Sequence, residues 1–159
     1  VKEMYKHIVE DMNARKLVIW DDVYPGCLLA HDISQQRLYV FERDAEIVAA
    51  CVLSHEPSSA NELEWCQGMR RATYIDRLGV SVAHARQGIG TDVLVHVEKW
   101  SRLRGSSSVR LFVAAENGPA IDLYRKCGFK QVAGVHHEVF DDGSSLEEIG
   151  FEKLLTAVL

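Results

Sequence analysis

An α/β (α+β) fold in a single domain over residues 1–159 is the architecture that this chain's residue pattern predicts. Two observations carry that expectation. The composition, 47% hydrophobic and 26% charged in 159 residues, suits one ordinary core. Segments of helical period also take turns with segments of period two along a run that has no internal repeat, linker or low-complexity tract.

The elements follow in order. In VKEMYKHIVEDMNARKLVIW, Met4, Ile8, Val9 and Met12 recur at helical spacing with charges between them, so the sequence opens inside a helix. After the turn-rich DDVYPG, the stretch CLLAHDISQQ reads as a second, short helix. RLYVFERDAEIVAACVLS reads as a hairpin that turns at Arg43 and Asp44 between two β-rich runs. The polar HEPSSANELEWCQGMRR is a connection. ATYIDRLGVSV has strand composition, and simple alternation puts Tyr74, Asp76, Leu78 and Val80 on one face. The helix after Gly90 should bury Val93, Leu94, Val97 and Trp100, expose Asp92, His96, Lys99 and Arg102, and end near Gly105. SVRLFVAA is another strand, and NGPAIDLYRKCG is a short helix with Pro119 in its first turn and Gly128 just past its end. FKQVAGVHHEVF and SLEEIGFEKLL read as two last strands around the turn DDGS. The expected order is α-α-β-β-β-α-β-α-β-β.

Charge and cysteine usage narrow the function. A net charge of -5 and a pI near 5.8 argue against a nucleic-acid binder, which would show a basic stripe. No apolar run approaches the roughly 18–20 residues of a membrane span. No basic, then greasy, start suggests a signal peptide, so the expected location is the cytoplasm without membrane attachment. Cys27, Cys51, Cys66 and Cys127 form no C-x-x-C pair, and the histidines form no helical H-x-x-x-H. Adjacent His136 and His137 point to opposite faces of a strand, and no metal is expected.

The chemistry concentrates in HARQGIGTDVLVHVEKW, where Gly88 and Gly90 stand between a strand and a helix. A helix start presents unpaired N–H groups and the positive end of its dipole, and glycine lets an anion come close to the backbone. A Walker loop would need G-K-[ST], absent from GIGTDV. A dinucleotide fingerprint would need a third glycine where Val93 stands, which weakens a Rossmann-type nucleotide domain.

This stretch and NGPAIDLYRKCGFK together resemble the GCN5-related N-acetyltransferase (GNAT) family, which binds acetyl-coenzyme A (acetyl-CoA). The resemblance runs from about Arg37 to Leu155 and is strongest across YIDRLGVSVAHARQGIGTDVL. The family signature is Gln or Arg, two residues, Gly, one residue, then Gly or Ala. The glycines match as Gly88 and Gly90, whereas the first position is Ala85, with Arg86 and Gln87 near enough to substitute for its contact. In the second block Asn117, Ala120, Tyr124, Gly128 and Phe129 fall on the family pattern.

The resemblance implies the GNAT acyl-CoA N-acyltransferase fold, a mixed, mostly antiparallel twisted sheet with helices on both faces. On this resemblance the family's first edge strand would be missing ahead of Val1, and an exposed neighbouring edge would then be a template for a homodimer. It implies acetyl-CoA as cosubstrate. Arg86, Gln87, Gly88, Ile89, Gly90 and Thr91 would cradle its pyrophosphate, and the backbone of Leu78, Gly79 and Val80 would pair with pantetheine as an added strand. Asn117, Ala120 and Tyr124 would contact the coenzyme. The acceptor would be a small-molecule or peptidyl amine.

Acetyl transfer from a thioester to an amine needs a neutral amine, an oxyanion partner and an acid for the departing thiolate. An alkylammonium with a pKa of roughly 10.4 needs a base, and Asp76 is the first candidate, with Glu64 and Glu62 as alternatives. A backbone N–H near Val80 would meet the oxyanion. Tyr124, with a phenol pKa of roughly 10, would be the acid. Each has a plainer reading beside it: an ion-paired Asp76, a core Tyr124 among Ala120, Leu123 and Cys127, and an Asn117 that only caps its helix. Trp20, Tyr24 and Pro25 would line an acceptor pocket or simply pack. Acids at Asp21, Asp22, Glu62, Glu64, Asp141 and Asp142 would favour a cationic amine or only keep the surface soluble. The reading of another class is a catalytically weak acyl-CoA-binding sensor.

Overall fold

In the computed structural model, which describes residues 1–56, 63–66, 70–140 and 143–155, the strands are Leu38–Arg43 (β1), Glu46–Ser54 (β2), Ala72–Val80 (β3), Ser108–Ala114 (β4), Lys130–Gln131 (β5), His136–Val139 (β6) and Ser145–Leu154 (β7). The helices are Lys2–Ala14 (α1), Leu29–Ser34 (α2), Ile89–Leu103 (α3) and Gly118–Lys126 (α4). Their order is the expected one up to α4. The chain forms two compact units, one of residues 1–53 and 76–93 and one of residues 54–75 and 94–159, so β3 and α3 each begin in one unit and end in the other. No helix among the described residues is long and apolar enough to cross a membrane.

In the first unit β1 and β2 form the antiparallel hairpin, with a register shift at Phe41 and Glu42. The turn falls one residue later than expected, on Asp44 and Ala45, both at positive φ (51° and 64°). That is the backbone hand that a two-residue hairpin loop requires. Met4, Tyr5, Ile8, Val9 and Met12 form the apolar stripe of α1 and cluster with Trp20 and with Ala50 of β2. Each such large side chain contributes about 1.5–3 kcal/mol by leaving water. Ala49, Ala50 and Cys51 are fully buried, and side chains this small let a helix approach a strand closely.

In the second unit the start of β3 runs parallel to β4, from Ala72 opposite Ser108 to Ile75 opposite Leu111. β7 lies antiparallel to β4 and pairs on its other side with β5 and β6. The single strand expected over 129–140 is therefore two. Gly134, at φ 97°, lies between β5 and β6, and Ala133 leaves the β7 ladder for an isolated bridge to Glu64. Of the residues expected to be buried by α3, Val93, Leu94 and Val97 are buried, whereas Trp100 is half-buried, stacked on His55 at 5.8 Å with the Arg104 guanidinium 4.0 Å over its ring. The helix ends as expected, Gly105 at φ 75° donating its N–H to Arg102 O.

This unit also buries an ion pair. Arg110 Nε donates to Glu152 Oε1 at 2.8 Å, with the two side chains 3% and 1% exposed. Arg110 Nη1 donates to the Tyr74 hydroxyl at 3.0 Å, and Glu152 Oε2 accepts from the backbone N–H of Cys66 at 2.7 Å. Trp65 lies under the guanidinium at 4.9 Å. Every charged end has a partner, which is the condition for keeping charge in a core. Arg110→Ala would strand the Glu152 carboxylate, and urea denaturation is expected to show a loss of about 3–5 kcal/mol. A loss under about 1 kcal/mol, the range of an exposed pair, would mean that water reaches this pair.

Candidate functional site

The junction between β3 and α3 is built from the backbone outward. Past Val80, the N–H of Ser81 donates to Val48 O of β2 at 2.8 Å, and a 3-10 turn over Val82–His84 leads to an extended Ala85. Arg86 (φ 60°) and Gly88 (φ 81°) are both left-handed, and the Asp92 N–H to Gly88 O bond at 3.1 Å opens α3. Ile89, 3% exposed, anchors the helix start in the core, while residues 85–88 stay exposed. The result is an outward bend in front of a helix N-terminus. Nothing lies within 4 Å of the place a Gly88 Cβ would occupy. Glycine is there for its φ, and the backbone beside it is open to a ligand.

The junction is basic as well. Arg86 is exposed on it, and Arg43 Nη1, from the end of β1, donates to Gln87 Oε1 at 3.4 Å. His84 Nε2 lies 3.7 Å from Glu46 of the same hairpin. The positive end of the α3 dipole and two guanidinium groups thus face the same open bend, the kind of donor set that favours an anion. The sequence gives no sign of Arg43, because its partner lies 44 residues away and meets it only through the hairpin.

Just before this junction, Arg77 lies inside β3 at φ 50°, a conformation that costs an ordinary L-residue about 1–2 kcal/mol. It breaks the pleat, so the simple alternation that would align Tyr74, Asp76, Leu78 and Val80 does not hold past Asp76. The cost is met by bonds. Asp32 of α2 accepts from Arg77 Nε at 3.1 Å and Nη2 at 2.8 Å, and the Tyr5 hydroxyl donates to Arg77 O at 2.8 Å. Beyond it Leu78 and Val80 are half-buried, while Gly79 is buried against α1. A Cβ there would meet Ile8 Cδ1 at 2.8 Å and Tyr5 Cε1 at 3.0 Å, so α1 packs closely on this glycine.

Asp76 is half-buried. Burial first, and the Asp76 charge second, push the Cys51 thiol up from 9.0 to about 12. Burial opposes the Arg77 charge, yet Tyr24, Asp32 and Asp76 together hold that guanidinium above its ordinary value. Burial also pushes the Tyr5 phenol upward. The charge environment of Asp76 is thus partly that of the ion-paired reading.

In the second unit, Asn117 caps α4, its Oδ1 accepting from Ala120 N at 3.3 Å. Ala120 is half-buried one turn before Tyr124, which is 7% exposed. The Tyr124 ring packs 6.0 Å from Phe129 and 6.1 Å from Phe151, as its core reading requires. Glu64 is exposed and bridges to Ala133 through the backbone. Glu62, Asp141 and Asp142 lie outside the described residues. The structure therefore gathers Asp76, Leu78, Gly79, Val80 and Arg86 to Thr91 in the first unit, and Asn117, Ala120 and Tyr124 in the second.

Of the acceptor-pocket residues, Trp20 is a core residue edged by Tyr5 at 5.3 Å and Tyr24 at 6.3 Å. A cavity of about 290 Å³ lies between α1 and the following turn, lined among others by Tyr5, Asp21, Asp22 and Pro25. Asp21 spends one oxygen on the turn itself, accepting from Val23 N at 2.7 Å and Tyr24 N at 2.6 Å. Among the described residues no group of His, Cys, Asp and Glu is placed to hold a metal ion.

Comparison with known proteins gives this geometry a context. The family model of the acetyltransferase (GNAT) family matches residues 1–129. The chain is 30% identical over 105 residues to the uncharacterized N-acetyltransferase YesJ of Bacillus subtilis, covering 63% of this chain and 58% of that one. It spans about half the length of the curated relatives it matches. Its fold is similar to that of a GNAT-family acetyltransferase of Listeria monocytogenes (TM-score 0.71, 17% identity, 96% of this chain and 86% of that one). It is also similar to a structure from Salmonella typhimurium, described as an acetyltransferase and solved with its cofactor acetyl-CoA (TM-score 0.68, 19% identity, 99% and 88%).

The Cys51 environment generates a pH dependence. A thiol whose folded pKa is raised from 9.0 to about 12 contributes stability that is intact below pH 9 and is lost as pH rises toward 12. Urea midpoints are expected to fall across that window, by about 1.4 kcal/mol per pH unit for this thiol. Cys51→Ala should flatten the fall between about pH 9 and 10, below the range in which the Tyr5 phenol adds to it. The same slope in both proteins would remove the assignment.

Proposed function

The chain belongs to the GNAT family of acetyltransferases, and from that membership we propose that it moves the acetyl group of acetyl-CoA to a primary amine of a small molecule or peptide, by direct attack within a ternary complex. The observation that carries the reading is the β3–α3 junction. It joins an open left-handed Gly88, a helix N-terminus and the guanidinium groups of Arg86 and Arg43. These residues fit a pyrophosphate, with Arg86 to Thr91 as its cradle and the backbone of Leu78, Gly79 and Val80 as the pairing edge for pantetheine. Asn117 and Ala120 add coenzyme contacts from α4.

Acetyl-CoA supplies the thioester carbonyl. Asp76, directly or through a water, takes a proton from the ammonium acceptor, and the freed amine attacks that carbonyl. A backbone N–H near Val80 faces the developing oxyanion. As the C–S bond breaks, Tyr124 gives its phenolic proton to the departing thiolate, the attacking nitrogen loses its second proton and the phenol is restored, so the products are the amide, free CoA and one proton taken up by Asp76. We place the activity in the cytoplasm, where Cys27, Cys51, Cys66 and Cys127, outside any disulfide, stay reduced.

A second reading, an acyl-CoA-binding sensor with little turnover, is favoured by Ala85 at the signature's first position and by the coupling of Asp76 to Arg77. Turnover separates the two: the enzyme releases free thiol with an amine acceptor, and the sensor does not.

The first measurement is a thermal-shift titration against acetyl-CoA, NAD and ATP. At a hundredfold excess over Kd, acetyl-CoA alone is expected to stabilise by about 2.7 kcal/mol, or roughly 5–10 °C. Gly88→Glu, which sets a carboxylate and a strained φ in the cradle, should abolish the shift. Stabilisation by NAD alone would return a nucleotide-binding domain, and no shift with any of the three would overturn the acetyl-CoA reading. Tyr124→Phe is expected to lower kcat by about 10²-fold or more while leaving acetyl-CoA binding nearly unchanged. Equal turnover would return Tyr124 to a packing role.

A further inference from the structure

We propose that the buried Asp32–Arg77 ion pair, together with the Tyr5 hydroxyl, is a positioning device for the cosubstrate strand. It holds the left-handed kink in β3 that sets Leu78, Gly79 and Val80 in place to pair with pantetheine. The inference rests on reading the chain as an acetyl-CoA enzyme and assigns to Asp32, Arg77 and Tyr5 a role that needs no contact with the coenzyme.

The argument starts from the residue type. A strand that needs a left-handed kink normally obtains it from glycine, or from asparagine or aspartate, which tolerate that region. Here the kink falls on arginine at φ 50°, which stays there only if its surroundings over-determine it. They grip Arg77 at both ends. Its side chain, 11% exposed, is held in a two-bond fork by an Asp32 carboxylate that is 4% exposed. Its carbonyl accepts from Tyr5 at 2.8 Å. The fork comes from α2 and the hydroxyl from α1, so two elements far apart in sequence fix one peptide.

The grip continues past the kink. Two residues on, Gly79 lies so close to the Tyr5 ring and Ile8 that an added Cβ would press on both. Tyr5 therefore holds Arg77 through its hydroxyl and seats Gly79 against its ring. Two residues further on, the Ser81 N–H is tied to Val48 O, so the segment between kink and tie has little freedom. A pair that served stability alone would not need to sit at the strained residue. Here the pair's arginine, the strain and the proposed pantetheine edge lie within the four consecutive residues 77–80.

Isothermal titration with acetyl-CoA tests this, at a temperature where circular dichroism shows each protein folded. Asp32→Asn keeps the shape and removes the charge, and it is expected to weaken binding about tenfold or more, because the strained φ is no longer held. Adding Arg77→Gly to Asp32→Asn should bring affinity back to within about threefold of wild type, since glycine adopts the left-handed φ without restraint. If Asp32→Asn does not fold, Tyr5→Phe, which deletes only the hydroxyl, carries the same readout, and weakened binding is expected.

A folded Asp32→Asn, or a folded Tyr5→Phe in its place, that binds acetyl-CoA like wild type overturns the proposal and leaves the pair a stabilising contact. Weakened binding that Arg77→Gly does not restore also overturns it, because the kink would then not be what the pair supplies. Wild type that fails to bind acetyl-CoA overturns the underlying reading of the chain instead, so the two failures are distinguishable.

Discussion

Arg77 lies at φ 50° in the middle of β3, and an L-residue remains there only while its neighbours hold it. Much of the first unit is arranged around that constraint. α1 supplies a hydroxyl to the carbonyl, α2 supplies a carboxylate to the guanidinium, and the same α1 face packs closely on Gly79. The amphipathic stripe of α1 therefore does two things. Its apolar residues build the core around Trp20 and Ala50, and its one aromatic hydroxyl reaches through that core to a strand.

Each unit buries one arginine and satisfies it differently. Arg77 takes a fork from Asp32 and is used at its carbonyl as well, so the pair fixes backbone. Arg110 is closed in by Glu152, the Tyr74 hydroxyl and the face of Trp65, while Glu152 also receives the Cys66 N–H, so this pair ties the segment around Trp65 to β7. A hydrophobic pair of similar volume would often be no less stable than a buried ion pair. What the charges add is direction, since each oxygen and nitrogen accepts one geometry and rejects its neighbours.

The glycines divide in the same way. Gly88 stands in open space and is needed for its positive φ, whereas at Gly79 and Gly150 a Cβ would press on neighbouring side chains, on Leu63 Cδ1 at 2.5 Å in the case of Gly150. The glycines Gly88 and Gly90 at the mouth of an amphipathic helix were legible from the sequence because turn and helix start are local, although α3 already begins at Ile89. So were α1 through its stripe, α4 through Asn117 and Pro119, and the β1–β2 hairpin to within one residue. The fit at Gly79, the two arginine pairs and the Arg43 contact with Gln87 were not, because each joins residues remote in sequence. The split of the 129–140 strand was hidden for a similar reason: Gly134 and the Ala133 bridge to Glu64 break a run whose β-propensity is continuous.

Local chemistry thus settled the order of elements up to α4, the glycine turn at a helix mouth, the absence of a basic stripe and the family resemblance. Each depends on neighbours within about one helical turn or one hairpin, where periodicity and turn preferences act. Which faces those elements bury, the kink at Arg77 that overrides simple alternation in β3, and the partners of the buried charges were settled by packing. There the energy of a residue depends on atoms that the chain brings to it from far away, and a carboxylate on α2 or a hydroxyl on α1 can hold a backbone conformation that the arginine's own preferences oppose.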